Sequence, residues 1–331
     1  MTEIKTPNLR LDPKELTIAV LQGGISAERE VSLNSAANIA KGLRILGFQV
    51  EMYDAADLSF IEAFQEKRPD LVFNALHGKY GEDGRIQGLL EILDLPYTGS
   101  GVLASALAMD KNASKFIFRQ LNLLTPKDIS VEKASIDVSD EAALSTLFSQ
   151  AQKELGHNFV VKPNEEGSSV GVSIVSTFED FPEALSLALK NDKTALIEEY
   201  IPGREITVAV LGDAHRSPQA LPVIEIVPKT EFYHYENKYA EGAVDFVVPA
   251  HISEDEVRAC QELAVAAHNA VGACGYSRSD IRLTDEAVPY LLEINTLPGL
   301  TKHSLVPKAA ASAGIELPEL LLSIVRYALT K

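Results

Sequence analysis

The acidic and amide side chains between Arg278 and Asn295 have the spacing of a metal site. The segment RSDIRLTDEAVPYLLEIN contains two strand-like runs around the turn TDEAVP, which predicts an antiparallel hairpin. Residues two apart in a strand share a face, so Glu293 and Asn295 point the same way and Asp280 can join them. Two carboxylates and an amide oxygen suit Mg²⁺ and leave room for phosphate oxygens. Arg278 alternates onto the face of Asp280, which would place a guanidinium beside the metal.

A solvated outer face of the hairpin is the alternative to this metal site. The same hairpin has an apolar face of its own, formed by Ile281, Leu291, Leu292 and Ile294. Because the acids then cluster on the opposite face, the sequence favours the metal site.

A lysine precedes a glycine- and serine-rich loop in the sequence VVKPNEEGSSVGV, residues 160–172. A Walker loop has its lysine directly after its last glycine. Here Lys162 comes before Gly167, Ser168, Ser169 and Gly171. The composition still indicates a phosphate cradle, but the order excludes the Walker pattern.

Two turns in the first third of the chain hold further candidates. LHGKYGEDG follows a strand, where α/β folds bind ligands, and its glycines let a backbone approach a ligand closely. His77 is therefore either part of a ligand site or a surface histidine. QGGISAEREVS makes a similar turn without the GxGxxG spacing of a dinucleotide site, which argues against an NAD-dependent enzyme. Glu28 would repel an anion at this helix N-terminus and suits an ammonium group, unless it only complements the helix dipole.

The elements that position these residues fall into three regions. LTIAVLQGG, FQVEMYDA and DLVFNALHG are strands separated by helices, which predicts a small doubly wound parallel α/β domain. Its first helix is expected to be capped by Ser26 and closed by Gly47. NFVVKP, VSIV and TALIEEYI predict a mainly antiparallel sheet, and the final third alternates strands with helices. We expect domains at residues 1–112, 113–203 and 204–331.

The composition limits the possible partners. The chain has 331 residues and a formal net charge of −17, from 30 Lys and Arg against 47 Asp and Glu. This balance argues against nucleic-acid binding, which needs a basic patch, although a few lysines can hold a small phosphorylated ligand. The N-terminus lacks the basic-then-apolar order of a signal peptide, and no apolar run approaches the ~20 residues that span a bilayer. We therefore expect a cytoplasmic protein without membrane insertion.

Seven segments taken together resemble the D-alanine–D-alanine ligases of the ATP-grasp superfamily over nearly the whole chain. They are GGISAEREVSLNS, ALHGKYGEDGRIQGLLEILDLPYTGSGVLASALAMDK, VVKPNEEGSSVGV, LIEEYIPGREITVAVLG, NKY, RSDIRL and LLEINTLPGLTKHSLVP. The resemblance implies an α/β (α+β ATP-grasp) fold. In it, the N-terminal doubly wound parallel α/β domain is followed by two mixed α+β subdomains that clasp ATP.

The resemblance also implies the residues that bind ATP and metal. The matched ATP-binding positions are Lys111, Lys162, Gly167, Ser168, Ser169, Glu198, Glu199, Ile201, Glu205 and Lys238. Lys111 and Lys162 would contact the phosphates, while the EGSSVG loop closes over them from the other side. Glu198, Glu199 and Ile201 would meet the adenine edge, and Glu205 the ribose. Asp280, Glu293 and Asn295 match the ligands of two Mg²⁺ ions, with Mn²⁺ as an alternative metal.

The amino-acid substrates are assigned in the same way. Glu28 would hold the ammonium of the first D-alanine with His77 nearby, and Ser304 and the N–H of Leu305 would bind the carboxylate of the second. Lys238 and Tyr239 match lid residues that face the phosphate and the substrate. The resemblance assigns catalytic roles to Glu28, Ser168, Tyr239 and Arg278, with the Tyr239 hydroxyl bonded to Ser168 and Ser168 to Glu28.

The residues disfavour other functions. A D-alanine–D-lactate or D-alanine–D-serine ligase is disfavoured by Tyr239 and Leu305, the residue types that accompany peptide-forming relatives. A non-catalytic nucleotide-binding module should have lost part of the metal site, which is complete here.

Lys302 lies near the second carboxylate site, and we expect it to modulate affinity for the second D-alanine. The resemblance further implies a homodimer.

Overall fold

The computed structural model describes residues 11–167, 170–213, 217–229 and 244–330. The first part of the chain contains the strands β1 (Thr17–Gln22), β2 (Gln49–Asp54) and β3 (Leu71–Asn74) and the helices α1 (Arg29–Ile45), α2 (Ser59–Glu66) and α3 (Arg85–Ile92). The strand order is β2-β1-β3, and both pairs are parallel. This N-terminal sheet confirms the predicted doubly wound α/β arrangement.

The central strand β1 is buried on both faces. Ile18 and Val20 pack into one apolar core with residues of α1, whereas Ala19 and Leu21 pack into a second core with residues of α2 and α3. A parallel strand covered by helices on both sides needs such a continuous apolar run, which TIAVLQ supplies.

The start of α1 differs from the prediction. Ser26 does not cap the helix, which begins at Arg29 with Glu28 at the N-cap. The Ser26 hydroxyl instead donates to the carbonyl of His77 (2.7 Å) and accepts from the N–H of Glu28 (3.2 Å). It therefore joins two turns rather than starting the helix. Gly47, with a φ of +97°, follows the end of α1 as predicted.

Two helices, α4 (Val102–Met109) and α5 (Lys111–Gln120), lead into the central region. This region contains β4 (Asp128–Glu132), α6 (Glu141–Leu155), β5 (Phe159–Pro163), β6 (Ser173–Val175), α7 (Phe181–Asn191) and β7 (Thr194–Glu199). The strands form a central sheet in the order β4-β7-β5-β6 with every pair antiparallel, as predicted for three of them. The sequence analysis missed β4.

The remaining strands form a C-terminal sheet. They are β8 (Arg204–Leu211), β9 (Gln219–Ala220), β10 (Ile224–Pro228), β11 (Val244–Val247), β12 (Tyr276–Leu283) and β13 (Pro289–Asn295). Their main order is β11-β10-β8-β12-β13, and β9 pairs with β8. The helices of this region are α8 (Glu254–Val271), α9 (Leu305–Ser312) and α10 (Leu317–Leu329). Ser253 and Glu256 form a capping box that starts α8, which packs on this sheet.

The predicted hairpin of β12 and β13 is present, with one irregularity. Asp280 pairs with Glu293, but Ile281 pairs with Leu291, so Leu292 is the extra residue of a β-bulge. The bulge puts Leu291 and Ile294 on the same buried face although they are three residues apart. Leu292 itself is only partly buried, so its assignment to the apolar face was wrong.

The division into domains stays a prediction. The expected boundary after residue 112 falls inside α5, and the one after residue 203 immediately precedes β8. One apolar core joins residues of β1 and α1 with residues of α10. The last helix of the chain therefore packs on the first region.

Candidate active site

Strand register creates a charged face on the central sheet. Glu198 in β7 lies opposite both Asp128 in β4 and Val160 in β5, and Lys162 lies two residues beyond Val160. Residues directly opposite in neighbouring strands, and residues two apart in one strand, share a face. Asp128, Glu198 and Lys162 therefore project together, which defines the charged face of the central sheet. The other face holds Phe159, Val161 and Ile197 in the apolar core with α6 and α7.

Glu198 is shared by two lysines. Its Oε2 accepts from Lys162 Nζ at 2.7 Å, and its Oε1 accepts from Lys115 Nζ of α5. Glu198 is 2% exposed and Lys115 is fully buried. Burial raises the pKa of Glu198, but the two lysines outweigh it and hold the pKa below its ordinary value.

Lys115 is a site residue that the sequence analysis missed. It follows Lys111 by four residues, so both lie on one face of α5. That spacing in DKNASK was the available signal, but an (i, i+4) lysine pair is common on exposed helices. Nothing in the local sequence indicates the partner Glu198, which is 83 residues away.

Lys111 connects the central region to the acidic hairpin. Its Nζ donates to the carbonyl of Glu166 at 2.8 Å and lies 3.4 Å from Glu293 Oε2. A narrow cavity at this point is lined by residues from three regions: Glu82, Ala108, Met109, Lys111, Glu166, Gly167, Glu293, Ile294, Asn295 and Thr296. The start of the glycine loop, the helix α5 and the hairpin therefore meet around one lysine.

The start of α5 is fixed to the end of β5 by an amide side chain. Asn164 Oδ1 accepts from the N–H of Asn112 at 2.8 Å, and Asn164 Nδ2 donates to Asp110 Oδ1 at 2.8 Å. Asp110 is also the N-cap of α5 and accepts from the N–H of Ala113. These bonds set the position of Lys111 relative to the strand that holds Lys162.

Arg278 and Asp280 form a bidentate ion pair on the hairpin. Arg278 Nε donates to Asp280 Oδ1 at 2.9 Å, and Nη2 donates to Oδ2 at 2.7 Å. The hydroxyl of Thr207 in β8 also donates to Asp280 Oδ1 at 2.7 Å. Burial opposes the positive charge of Arg278, but Asp280 outweighs it and keeps the pKa above its ordinary value. The guanidinium is therefore charged and held in one orientation.

The predicted metal ligands lie side by side. Asp280 is directly opposite Glu293, and Arg278 is directly opposite Asn295. Asn295 Oδ1 accepts from the N–H of Leu297 at 2.7 Å, which orients the amide. Within the described ranges no group of three or more His, Cys, Asp or Glu side chains is arranged to hold a metal. The candidate set has two carboxylates and one amide, and these oxygen donors fit a hard cation such as Mg²⁺.

The Glu28 carboxylate lies where two glycine turns approach. A Cβ atom added to Gly78 would lie 2.9 Å from Glu28 Oε2, and one added to Gly167 would lie 3.5 Å from the same oxygen. Gly78 has a φ of +65°, so both its conformation and the close approach favour glycine. Burial, followed by the charges of Asp192 and Glu28, raises the pKa of Glu166. Two acids therefore meet near the first residues of the loop.

His77 is buried beneath this turn and lies close to Ser304. Its Nε2 lies 3.2 Å from Ser35 Oγ, and its Nδ1 lies 3.2 Å from Glu82 Oε1. A Cβ atom at Gly299 would lie 3.0 Å from Ser304 Oγ and 3.7 Å from His77 Cε1. His77 is only 6% exposed, which excludes the alternative of a surface histidine.

Ser304 and Leu305 mark the start of α9. Ser304 is the N-cap and Leu305 the first helical residue. The Ser304 hydroxyl accepts from the N–H of Thr301 at 3.1 Å and lies 2.7 Å from the Thr301 hydroxyl, so it does not cap the helix. The N–H groups of this first turn are the donors that could meet a carboxylate.

The residues expected at the adenine and ribose lie in β7, in β8 and in the link between them. Glu199 projects from the opposite face to Glu198, and its carboxylate accepts from the N–H of Lys127 at 3.2 Å. Ile201 is buried, and its carbonyl accepts from Arg282 Nε at 3.1 Å. Glu205 lies opposite Arg282 in β12. The side chain of Glu199 is thus directed away from the charged face.

The structure brings six of the predicted site residues into two neighbouring groups. Lys162 and Glu198 form one group on the central sheet, while a second surrounds the cavity and contains Lys111, Gly167, Glu293 and Asn295. Ser168, Ser169, Lys238 and Tyr239 lie outside the described residues. Their predicted roles in the loop and the lid therefore stay predictions.

Known proteins resemble this chain in both sequence and structure. It matches two family models, described as D-ala D-ala ligase N-terminus over residues 55–100 and D-ala D-ala ligase C-terminus over residues 118–326. The D-alanine–D-alanine ligase of Pelotomaculum thermopropionicum is 44% identical over 314 residues, covering 95% of this chain and 97% of that protein. The corresponding protein of Rhodospirillum rubrum is 42% identical over 318 residues, with 94% and 97% covered.

Solved structures agree with these relatives. The crystal structure of D-alanine–D-alanine ligase from Bacillus anthracis superimposes with a TM-score of 0.82 at 35% identity, covering 95% of this chain and 98% of that one. Its complex with ATP gives a TM-score of 0.79 at 32% identity, with the same coverage. The match over almost the full length confirms the predicted α/β ATP-grasp fold. In the part of the chain that the structure describes, no helix is both long and apolar enough to span a membrane.

Proposed function

The chain belongs to the D-alanine–D-alanine ligase family, and we propose that it uses ATP to join two D-alanines into D-alanyl-D-alanine. ADP and phosphate are the other products, and the dipeptide serves peptidoglycan precursor synthesis. One observation supports this most directly: Lys111 lies between the glycine loop and Glu293 of the acidic hairpin. A lysine in this position can contact a phosphate chain that runs from the loop to a metal held by the hairpin.

The phosphates of ATP would be bound from both regions. Lys162 approaches them from the central sheet, Lys111 approaches from the start of α5, and the backbone beginning at Gly167 closes over them. Asp280, Glu293 and Asn295 would hold Mg²⁺, which neutralises phosphate charge when it is bound. Phosphoryl transfer asks a protein mainly for positioning and charge neutralisation, and these residues provide both.

The first D-alanine would be held by its ammonium group at Glu28. Glu28 Oε2 lies near both Gly78 and Gly167, so the bound substrate would stand beside the phosphate loop. Its carboxylate attacks the γ-phosphorus of ATP, the bond to ADP breaks, and an acyl phosphate forms. The lid residues Lys238 and Tyr239 would exclude water from this intermediate.

The second D-alanine would bind through its carboxylate at Ser304 and the N–H of Leu305. Its free amine attacks the carbonyl carbon of the acyl phosphate and forms a tetrahedral oxyanion, which collapses to the amide as phosphate leaves with the amine proton. Arg278 is suited to stabilise that oxyanion, because Asp280 fixes its guanidinium through Nε and Nη2. His77 lies within reach of both amino-acid sites, being close to the Glu28 turn and to Ser304.

Product formation with alternative second substrates tests this proposal. Purified protein with ATP and Mg²⁺ should release phosphate and form the dipeptide when D-alanine is the only amino acid. D-lactate or D-serine, added as a second substrate at neutral pH, should give little mixed product. Robust D-alanyl-D-lactate formation without D-alanyl-D-alanine would contradict the proposal.

We also infer a homodimer in the cytoplasm, from the family resemblance. Light scattering coupled to size-exclusion chromatography should give twice the mass of the 35.9 kDa chain. A single species of monomer mass at micromolar concentration would contradict the dimer.

Fractionation of cells should recover the protein with the cytoplasmic contents, and recovery with membranes or culture medium would contradict that location.

A further inference from the structure

The second lysine of α5, which the resemblance does not assign, is fully buried near the candidate site. Lys115 is 0% exposed, and its Nζ contacts Glu198 Oε1 and lies 3.4 Å from Asp128 Oδ1. Glu198 uses its other oxygen for Lys162. A buried cation is costly unless it is paired, so this arrangement requires a specific benefit or a specific partner.

The charges around Glu198 do not balance. Among the residues that the structure describes, the cations that face this point are Lys115 and Arg119 from α5 and Lys162 from β5, and the anions are Asp128 from β4 and Glu198 from β7. Three cations against two anions leave one positive charge. Because Arg119 also pairs with Asp128, the excess belongs to the group of Lys115, Glu198 and Lys162.

We propose that Lys115 is a positioning residue that neutralises Glu198 and so leaves the charge of Lys162 to bind the phosphates of the nucleotide. The inference rests on the proposed function, in which Lys162 contacts those phosphates. Without Lys115, Glu198 and Lys162 would form a closed pair with no net charge. The carboxylate would also lose the contact that fixes its Oε1, and Lys162 would be held less well at Oε2.

The protonation of Lys115 gives the proposal a signature in pH. Burial lowers the pKa of Lys115 to about 8, Glu198 opposes that shift, and Lys162 adds to it. Arg119 and Asp128 are the other charges near this group. As the pH rises above 8, Lys115 loses its charge, so affinity for phosphates should fall. An arginine at this position would stay charged throughout that range.

Direct binding to the full-length protein tests the proposal. Lys115→Met should weaken binding of ATP and of inorganic tripolyphosphate about tenfold, because a neighbouring unit charge is lost at low effective dielectric. Adenosine, which has no phosphate, should lose less affinity than tripolyphosphate, because only the phosphates use the charge of Lys162. Lys153→Met is the matched control, because it removes one exposed cation from α6 on the other face of the central sheet.

The conservative variant and the pH series complete the experiment. Lys115→Arg should keep tripolyphosphate affinity near the wild-type value at pH 7 and should remove its decline between pH 7.5 and pH 9.5. Equal weakening of adenosine and tripolyphosphate by Lys115→Met would overturn the proposal, because it indicates general disruption. Unchanged tripolyphosphate affinity would also overturn it. If the wild-type protein binds no ATP, the proposed function itself fails, and the two failures are thereby distinguished.

Discussion

The central sheet and the C-terminal hairpin bring opposite charge balances to the candidate site. The central sheet and α5 place two lysines, Lys115 and Lys162, on one carboxylate. The hairpin places two carboxylates, Asp280 and Glu293, with one arginine. A ligand that combines phosphates with a divalent cation complements both at once. The excess positive charge and the excess negative charge lie on different sheets, so they do not cancel within a single element.

The two charged groups also differ in burial. The side chains of Lys115, Lys162 and Glu198 are between 0% and 9% exposed, whereas that of Glu293 is 31% exposed. Removal of one partner from the central group leaves a buried charge uncompensated, which should destabilise the fold. The hairpin acids retain access to solvent and to an incoming cation. We therefore expect loss of Glu198 to act first on stability and loss of Glu293 to act first on turnover.

The largest effect is expected at the hairpin. Glu293→Gln removes one of two carboxylates proposed to hold the metal and should lower kcat about a thousandfold, the size of a charge stabilisation worth several kcal/mol. The Tm should stay within about 2 °C of the wild-type value, because the side chain is partly exposed. Steady-state phosphate release and a thermal melt measure the two quantities.

A matched control lies in the turn of the same hairpin. Glu286 is exposed, so Glu286→Gln removes the same charge without touching the proposed site. Its kcat should equal that of the wild-type protein. Equal kcat for Glu293→Gln and the wild type would contradict the metal assignment.

Loss of Glu198 from the central group should lower stability more than it lowers turnover. Glu198→Gln leaves two lysines near one neutral amide and should lower the free energy of unfolding at pH 7 by about 3 kcal/mol, as expected when one partner of a buried ion pair is removed. Denaturant unfolding measures this change. The control is Glu199→Gln, because that side chain projects from the other face and accepts one backbone hydrogen bond. Glu199→Gln should change the free energy of unfolding far less.

The difference in the free energy of unfolding between wild type and Glu198→Gln should depend on pH through the pKa of Glu198. Burial raises this pKa, but Lys162 and Lys115 lower it below the ordinary value of 4.5. A carboxyl whose pKa is lower in the folded than in the unfolded state stabilises the fold above its unfolded pKa, and the contribution is lost as the pH falls. The gap between wild type and Glu198→Gln should therefore shrink as the pH falls below about 5.5. A gap that widens toward acid pH would contradict this arrangement of charges.

An intermediate effect is expected at Arg278. Arg278→Lys keeps the charge but cannot make both hydrogen bonds to Asp280, so the cation loses its fixed orientation. We expect kcat to fall about a hundredfold, as for the loss of an oxyanion donor, with little change in the KM for ATP. Arg258→Lys on the exposed face of α8 is the control. A change confined to KM for ATP would place Arg278 in nucleotide binding instead.

The sequence predicted the hairpin more fully than the central group because strand periodicity is local. Alternation placed Glu293 and Asn295 on one face with Asp280, and only the bulge at Leu292 departs from it. A bulge depends on how two strands fit together, which no single strand specifies. The resemblance supplied Lys111 and Lys162 as phosphate ligands, but it gave no reason for Lys115.

The partners of the central group could not be predicted because they join distant parts of the chain. Lys115 meets Glu198 across 83 residues, and the register of β4 with β7, which brings Asp128 to the same point, involves a strand that the sequence analysis missed. Ser26 shows the same limit on a smaller scale. It has the residue type of an N-cap, but its hydroxyl bonds the carbonyl of His77, 51 residues away. In both cases the partner of the side chain is set by contacts between distant parts of the chain.

The smallest effect is expected at a charge outside both groups. Lys302 is exposed and lies two residues before Ser304, near the proposed site of the second carboxylate. An exposed charge acts through water and is screened by salt, so Lys302→Ala should raise the KM for the second D-alanine only about twofold. Lys302→Arg is the control and should keep the wild-type KM. The difference should disappear at about 0.5 M salt, where the Debye length is only a few ångströms. An unchanged KM for Lys302→Ala at low salt would show that this charge does not act on the second substrate, unlike the buried charges of the central sheet and the fixed pair on the hairpin.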